Sequence, residues 1–188
     1  MVTPPNTLRF ALTALTALAL TGCPCDSGHM DLFADPLRDD CDGLPCGWQL
    51  SAGEARFVPF LHEGEGALEL AGTLGRTLSD FNLSSPVEGD VQVFLLARCD
   101  QATELLVTLE SDADPPHDYV ATLAAGTPTG GLPLPRHELP LVRSDTNPDE
   151  PAAGVLVPFR SIELRVEGPG RCTVSDLHLT STGSSGCF

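Results

Sequence analysis

Apolar and polar residues alternate with a period of two in several short segments of the chain. In the segment 162–167 every second residue is apolar and the residues between are charged, and the segment 105–110 is similar. This is the period of a β-strand that buries one face. The segment 91–97 is almost wholly apolar after Gln92, as in a strand buried on both faces. The pattern therefore predicts a protein built from strands.

Further strands are predicted where short β-rich runs are bounded by turn residues. The chain has 18 Gly and 17 Pro, which punctuate these runs. The other candidate strands are Trp48–Ser51, Arg56–Phe60, Ala67–Ala71, Thr77–Phe81, Tyr119–Leu123, Val155–Phe159 and Cys172–Thr180. Convincing helical periodicity does not occur after the N-terminal segment, so we expect a sandwich or barrel. The segment 126–154 holds six prolines and fits no long strand, which predicts a binding loop or a disordered stretch.

The N-terminal segment predicts export and lipidation. Residues 10–20 form the apolar run FALTALTALAL, which is shorter than the roughly 20 residues that span a bilayer and has the length of a signal-peptide core. The following Leu-Thr-Gly-Cys sequence resembles a bacterial lipobox, which implies that Cys23 is acylated and begins the mature chain. Pro24 then favours the outer membrane. The alternative is an ordinary secretory signal with a coincidental cysteine.

These signals divide the chain into four parts. We expect a signal peptide at 1–22, a lipidated tether at 23–30, a β-sandwich domain at 31–180 and a Gly/Ser-rich tail at 181–188.

Six cysteines remain besides Cys23, an even number that indicates a disulfide framework in an oxidising compartment. Cys41 and Cys46 flank the turn sequence Asp-Gly-Leu-Pro, which brings the two residues within bonding distance. A zinc site would need a second close cysteine pair, which the sequence lacks apart from Cys23 and Cys25, and a redox pair would need C-x-x-C. Cys99 ends one predicted strand and Cys172 begins another, so we expect them to pair. Cys25 and Cys187 are then left to join the two ends of the domain.

Charge narrows the range of partners. The formal net charge is −16, and all ten basic side chains are arginines. Such a surface repels nucleic acid and suits cations or basic partners.

The order of three segments resembles a known fold family. DLFADPLRDD precedes GLPCGWQLSAG, and the chain ends on CTVSDLHLTS. Across residues 31–180 this resembles the galactose-binding-like jelly roll that many carbohydrate-binding modules share. The resemblance implies an all-β, antiparallel, disulfide-stapled β-sandwich in which Trp48 packs into the core.

The last predicted strand contains an irregularity. Val174 and Leu177 are an odd number of residues apart, so a regular strand would place them on opposite faces. A β-bulge at Ser175-Asp176 would reconcile them. The family often places a calcium-binding acid here, which makes Asp176 and Asp39 candidate ligands of a structural calcium. Arg38 departs from that pattern, because the family's N-terminal acidic ligand falls at position 38 or 39.

Catalytic motifs do not occur in the sequence. G-x-S-x-G, H-E-x-x-H, P-loop and G-x-G-x-x-G patterns are all missing, so we expect a protein that is not an enzyme. Aromatic residues for stacking sugars are few, and Tyr119 beside His117 is the remaining candidate for ligand binding.

The expected function is a lipid-anchored protein of the cell outer membrane with a non-catalytic binding or scaffolding domain. Its partners would be the membrane, through the anchor, and a glycan or an envelope protein, with no nucleic acid. A glycan-binding module and an unrecognised envelope hydrolase are the alternatives.

Overall fold

The computed structural model describes residues 30–59, 66–78, 87–88, 91–112, 114–125, 133–144, 155–156 and 159–181. Within these ranges the chain forms strands and no helix, and no segment there is a membrane-crossing helix. The strands are β1 (Met30–Asp35), β2 (Asp40–Cys41), β3 (Leu44–Pro45), β4 (Gln49–Pro59), β5 (Gly66–Thr77), β6 (Val87–Glu88), β7 (Val91–Cys99), β8 (Glu104–Ser111), β9 (Asp118–Leu123), β10 (Arg136–Pro140), β11 (Val142–Arg143), β12 (Val155–Leu156), β13 (Phe159–Glu167) and β14 (Cys172–Ser181).

In one layer, here called the front layer, β8 and the segment 162–167 of β13 follow the alternation that the sequence predicts. Its strands pair antiparallel in the order β4-β5-β13-β8-β9-β11. Every second residue of β8 is buried, and Ile162 and Leu164 of β13 are buried beside them. Polar residues therefore occupy most of the outer face of this layer.

The other layer, here called the back layer, is irregular. β7 lies between β10 and β14, and β14 has two partners on its far side. Leu68 and Leu70 of β5 pair with the start of β14, whereas β1 pairs with its end. Beyond Leu70, β5 pairs with β13 of the front layer, so it runs through both layers.

Two glycines allow β4 and β5 to cross between the layers. Gly53 and Gly72 pair directly and both have positive φ, +77° and +153°. A Cβ on Gly53 would lie 2.0 Å from the Ala71 carbonyl oxygen, and one on Gly72 would lie 2.1 Å from the Ala52 carbonyl oxygen. The close backbone approach therefore excludes any side chain at either position.

The predicted bulge in the last strand is confirmed. The register of β14 against β7 shifts between Ser175 and His178, and Asp176 has a φ of +50°. The extra residue lets Val174 and Leu177 both point into the core, where each is fully buried.

Two of the predicted disulfides are confirmed. Cys41–Cys46 closes the β2–β3 hairpin, and Cys99–Cys172 joins directly opposed residues of β7 and β14. Cys23, Cys25 and Cys187 lie outside the described residues, so lipidation and the third bridge stay predictions.

The segment 126–154, predicted to hold no long strand and to be a binding loop or a disordered stretch, contains two short strands within its described part, 133–144. β10 pairs with β7 over five residues, and β11 pairs with β9. Side chains of β10 alternate only between exposed and half-buried, so main-chain hydrogen bonding to β7 forms this strand without an apolar stripe that sequence could show. Two predicted strands, Trp48–Ser51 and Arg56–Phe60, fall largely on the single strand β4.

The predicted fold class is confirmed: the described chain is an all-β, antiparallel, disulfide-stapled sandwich of the jelly-roll kind. Its core cluster draws apolar residues from both layers. Trp48 is buried in that cluster, as expected.

Candidate functional site

A buried aromatic ring lies on the outer side of the back layer. The core-facing residues of β7 are its odd-numbered positions, while Gln92, Phe94, Leu96 and Arg98 have the opposite parity. Phe94 is only 6% exposed, yet it does not belong to the core cluster. The ring is therefore covered from outside the sandwich.

Neighbouring strands supply polar side chains around this ring. His178 and Glu138 are directly opposite Phe94, and Thr180 is opposite both Gln92 and Asp31. A groove of about 260 Å³ results, which we call the back groove. It is lined by Asp31, Phe94, Leu95, Leu96, Arg136, Asp176, His178 and Thr180.

The polar groups of the back groove differ in how firmly they are held. The Arg136 guanidinium carbon lies 4.9 Å from the centroid of the Phe94 ring, and its side chain is 66% exposed with Glu138 at 4.0 Å. The buried Thr180 hydroxyl has no hydrogen-bond partner among the described residues. His178 is half-buried. An apolar floor with a few convergent polar groups is the usual composition of a ligand site.

A second depression lies on the outer face of the front layer, and we call it the front trough. It has a volume of about 390 Å³ and is lined by Gly47, Gln49, Ser51, Gly75, Arg76, Thr77, Ser161, Ile162 and Glu163. Its lining is mostly polar and comes from three adjacent strands and the turn before β4.

A buried carboxylate supports the front trough from below. Asp35 accepts hydrogen bonds from Trp48 Nε1 at 2.9 Å, from Arg76 Nη1 at 2.5 Å and from the Leu37 backbone N–H at 2.8 Å. These contacts tie β1 of the back layer to the arginine that lines the trough. Asp35 carries no recognisable sequence motif.

An ion pair at the end of the front layer shifts two pKa values. Arg160 donates a hydrogen bond to Glu110, and this contact lowers the pKa of Glu110 and raises the pKa of Arg160. Partial burial opposes the shift of the Glu110 pKa, and a hydrogen bond from the Ser161 hydroxyl at 3.1 Å adds to it.

The structure corrects the expected binding role of Tyr119. Its ring is 7% exposed and packs edge-on against Phe159, with centroids 5.7 Å apart. Strand parity turns Tyr119 inward with Ala121, so the ring is not available for stacking on a ligand. His117 is half-buried, with a ring nitrogen 2.9 Å from Arg143 Nη2. Neither residue lines the back groove or the front trough.

The two calcium candidates have different surroundings. Asp176 Oδ2 accepts a hydrogen bond from Arg38 Nη2 at 2.7 Å, whereas Asp39 is exposed. Within the described ranges, no three His, Cys, Asp or Glu side chains are grouped as metal ligands. The guanidinium already supplies a cation to Asp176, and calcium binding stays a prediction.

Sequence reasoning missed most of the back groove. His178 and Thr180 carry a signal that could have found them, because they alternate with Leu177 and Leu179 and so must point outward. Phe94 was hidden in an apolar run, and Arg136 belongs to a strand without a sequence signal.

Comparison with known proteins finds limited likeness. No family model matches the chain, and no curated protein matches it. One similar solved structure is the CBM22-1–GH10 part of the Clostridium thermocellum endo-1,4-β-D-xylanase 10B with xylohexaose, at 11% identity and a TM-score of 0.47. That match covers 84% of this chain and 30% of the xylanase chain. Another is TmCBM61 with β-1,4-galactotriose, at 16% identity and a TM-score of 0.43, covering 72% of this chain and 89% of that one. Both TM-scores lie below 0.5, so neither likeness assigns this chain to a family.

Proposed function

We propose that the protein is a lipid-anchored, non-catalytic β-sandwich of the cell envelope that binds a glycan through the back groove. The observation that carries the proposal is Phe94, a buried aromatic ring outside the core and surrounded by polar side chains of three other strands. Strand pairing alone does not call for an aromatic ring on the outer face, and this ring lines the back groove.

The chemistry of the back groove suits a sugar ring. The C–H face of a sugar packs on an aromatic face, and its hydroxyls need partners that both donate and accept hydrogen bonds. Arg136 donates, Asp31 accepts, and the hydroxyl of Thr180 does both. Arg136 lies over the Phe94 ring and its side chain is largely exposed, so a ligand can move that side chain aside.

The proposed anchor would keep the groove close to a membrane. Asp31 lines the groove and is eight residues from Cys23, a distance of at most roughly 28 Å for extended chain. Several acyl chains on Cys23 would make attachment firm, because each buried CH₂ contributes about 0.8 kcal/mol. Mass spectrometry of the mature N-terminus tests this part: we expect acylated Cys23, and an unmodified terminus at another residue contradicts it.

A glycan array, run with calcium and with a chelator, tests the binding. For a glycan that binds, His178→Ala and Arg136→Ala should each weaken the affinity about tenfold, since each removes a hydrogen bond to a polar ligand. Arg165→Ala is the matched control, because Arg165 is an exposed arginine of the front layer outside both depressions. Equal loss in the control, or binding to no glycan, would refute the proposal. Turnover of glycoside, ester or peptide substrates that single substitutions abolish would refute the non-catalytic part.

A further inference from the structure

Gly75 is a glycine that the fold does not require. It lies in the middle of the front trough, and its φ is not positive. A Cβ at this position would meet only the Ile162 carbonyl oxygen, at an ordinary contact distance of 3.8 Å. Gly72, three residues earlier, differs on both counts, because its φ is positive and a Cβ there would clash with the backbone of Ala52. The backbone conformation does not require glycine at position 75, and the effect of the missing side chain is to keep the trough open.

Two polar side chains flank this opening. Gln49 pairs with Gly75 from one side and Glu163 from the other, so their Cα atoms are about 10 Å apart across the strands. Thr77 and Ser161 form the next pair along the trough. All four side chains carry oxygen atoms that accept hydrogen bonds.

Glu163 differs from most glutamates of the described chain. Arginines pair with Glu54, Glu69, Glu110, Glu138 and Glu167. Glu163 is half-buried and forms no ion pair or hydrogen bond with another described residue. Arg76 also lines the trough, but its charge is matched by Asp35. The trough therefore keeps one uncompensated negative charge.

We propose that the front trough binds a protonated amine, the lysine side chain of a basic partner protein. The ammonium would lie over Gly75 and donate to the Glu163 carboxylate and to neighbouring oxygens, while the apolar stem leaves along the trough. This chain contains no lysine of its own, and its charge of −16 attracts cationic partners.

The shape of the lining favours an ammonium over a guanidinium. A guanidinium is planar and is best matched by the two oxygens of one carboxylate, whereas an ammonium is compact and has three donors that diverge. Here the acceptor oxygens of Gln49 and Glu163 lie on opposite sides of Gly75, an arrangement that matches the diverging N–H donors of an ammonium. The proposal is independent of the glycan site, because the two depressions lie on different layers.

A chemical-shift titration of the full mature chain, in uncharged detergent, tests the proposal. The probe is the capped tripeptide acetyl-Gly-Lys-Gly-amide, and the readout is the backbone amide signal of residue 75 in wild type and in each variant. We expect a saturable shift with the lysine peptide, and at least about tenfold weaker binding for Glu163→Gln, which removes the charged acceptor. Glu104→Gln is the matched control, since Glu104 is a half-buried glutamate of the same layer outside the trough.

Gly75→Ala separates the role of the open floor from folding. The backbone at this position accepts an alanine, so the variant should fold. Its methyl group would occupy the floor of the trough, so the variant should bind the lysine peptide less tightly than wild type. Two comparison peptides carry Nε-acetyl-lysine or arginine in place of the lysine. Equal affinity for the acetyl-lysine peptide, or higher affinity for the arginine peptide, would overturn the assignment to an ammonium. Equal binding of free cadaverine would overturn the assignment to a partner's side chain. Unchanged affinity in both Glu163→Gln and Gly75→Ala would remove the site altogether, without affecting glycan binding at the back groove.

Discussion

The two layers of the sandwich reach the same core in different ways. In the front layer β8 and β9 alternate strictly, the register shifts lie near the ends of β4 and β13, and the outer face carries ion pairs such as Glu110–Arg160. The back layer contains a bulge at Asp176, a partner change along β14 and a covalent link between Cys99 and Cys172.

In the back layer a covalent link accompanies the break in alternation, whereas the regular strands β8 and β9 have no such link among the described residues. Strict alternation fixes register, because a slip of one residue would expose the buried face. β14 breaks this alternation at its bulge, and the disulfide holds Cys172 opposite Cys99, which fixes the register of β14 against β7. The irregular layer is also the one in which an aromatic ring and five polar side chains are brought together in the back groove.

Removal of the back-layer disulfide should have the largest effect. Replacing both Cys99 and Cys172 with serine should lower the free energy of unfolding by about 4 kcal/mol, because the bridge closes a long loop. The Cys41/Cys46 double serine variant, with a much shorter loop, should lose about 2 kcal/mol. Urea titration measures both values. If the Cys99/Cys172 variant loses no more stability than the Cys41/Cys46 variant, the back layer does not depend on its covalent link.

Substitution of Asp35 tests the contact between the layers. Asp35→Ala removes the carboxylate that accepts from both the Trp48 indole N–H and the Arg76 guanidinium, so the free energy of unfolding should fall by about 3 kcal/mol. Asp31 on the same strand is exposed, so Asp31→Ala should change the free energy of unfolding by less than about 0.5 kcal/mol. Equal losses in the two variants would mean that β1 is fastened by its strand pairing alone.

The ion pair on the front layer should give the smallest effect. The pKa of Glu110 is lowered by the hydrogen bond from Arg160, so the stabilisation is complete above the ordinary carboxyl pKa and fades as the pH falls through the lowered value. The difference in melting temperature between wild type and Glu110→Gln should therefore be largest at neutral pH and shrink in acid. A difference that does not change with pH would contradict a charge-based contribution.

The sequence predicts the front layer better than the back layer for a physical reason. Ile162 and Leu164 predict their strand because burial of one face imposes a period of two on the apolar residues. The bulge at Asp176 is also predictable, because Val174 and Leu177 violate that period. β10 has no apolar stripe and forms through main-chain pairing with β7, which no local pattern reports. Arg136, which that strand contributes to the back groove, could therefore not be predicted.

The central claim is that ligand binding resides in the back groove, and mapping of a bound glycan tests it most directly. With a glycan that the array identifies, backbone amide shifts should change for Phe94, His178 and Thr180, and not for Thr108 or Gly75 on the front layer. A saturable change confined to the back groove is the result that we predict. Changes centred on the front layer, or saturable binding that leaves the Phe94, His178 and Thr180 signals unmoved, would contradict the account.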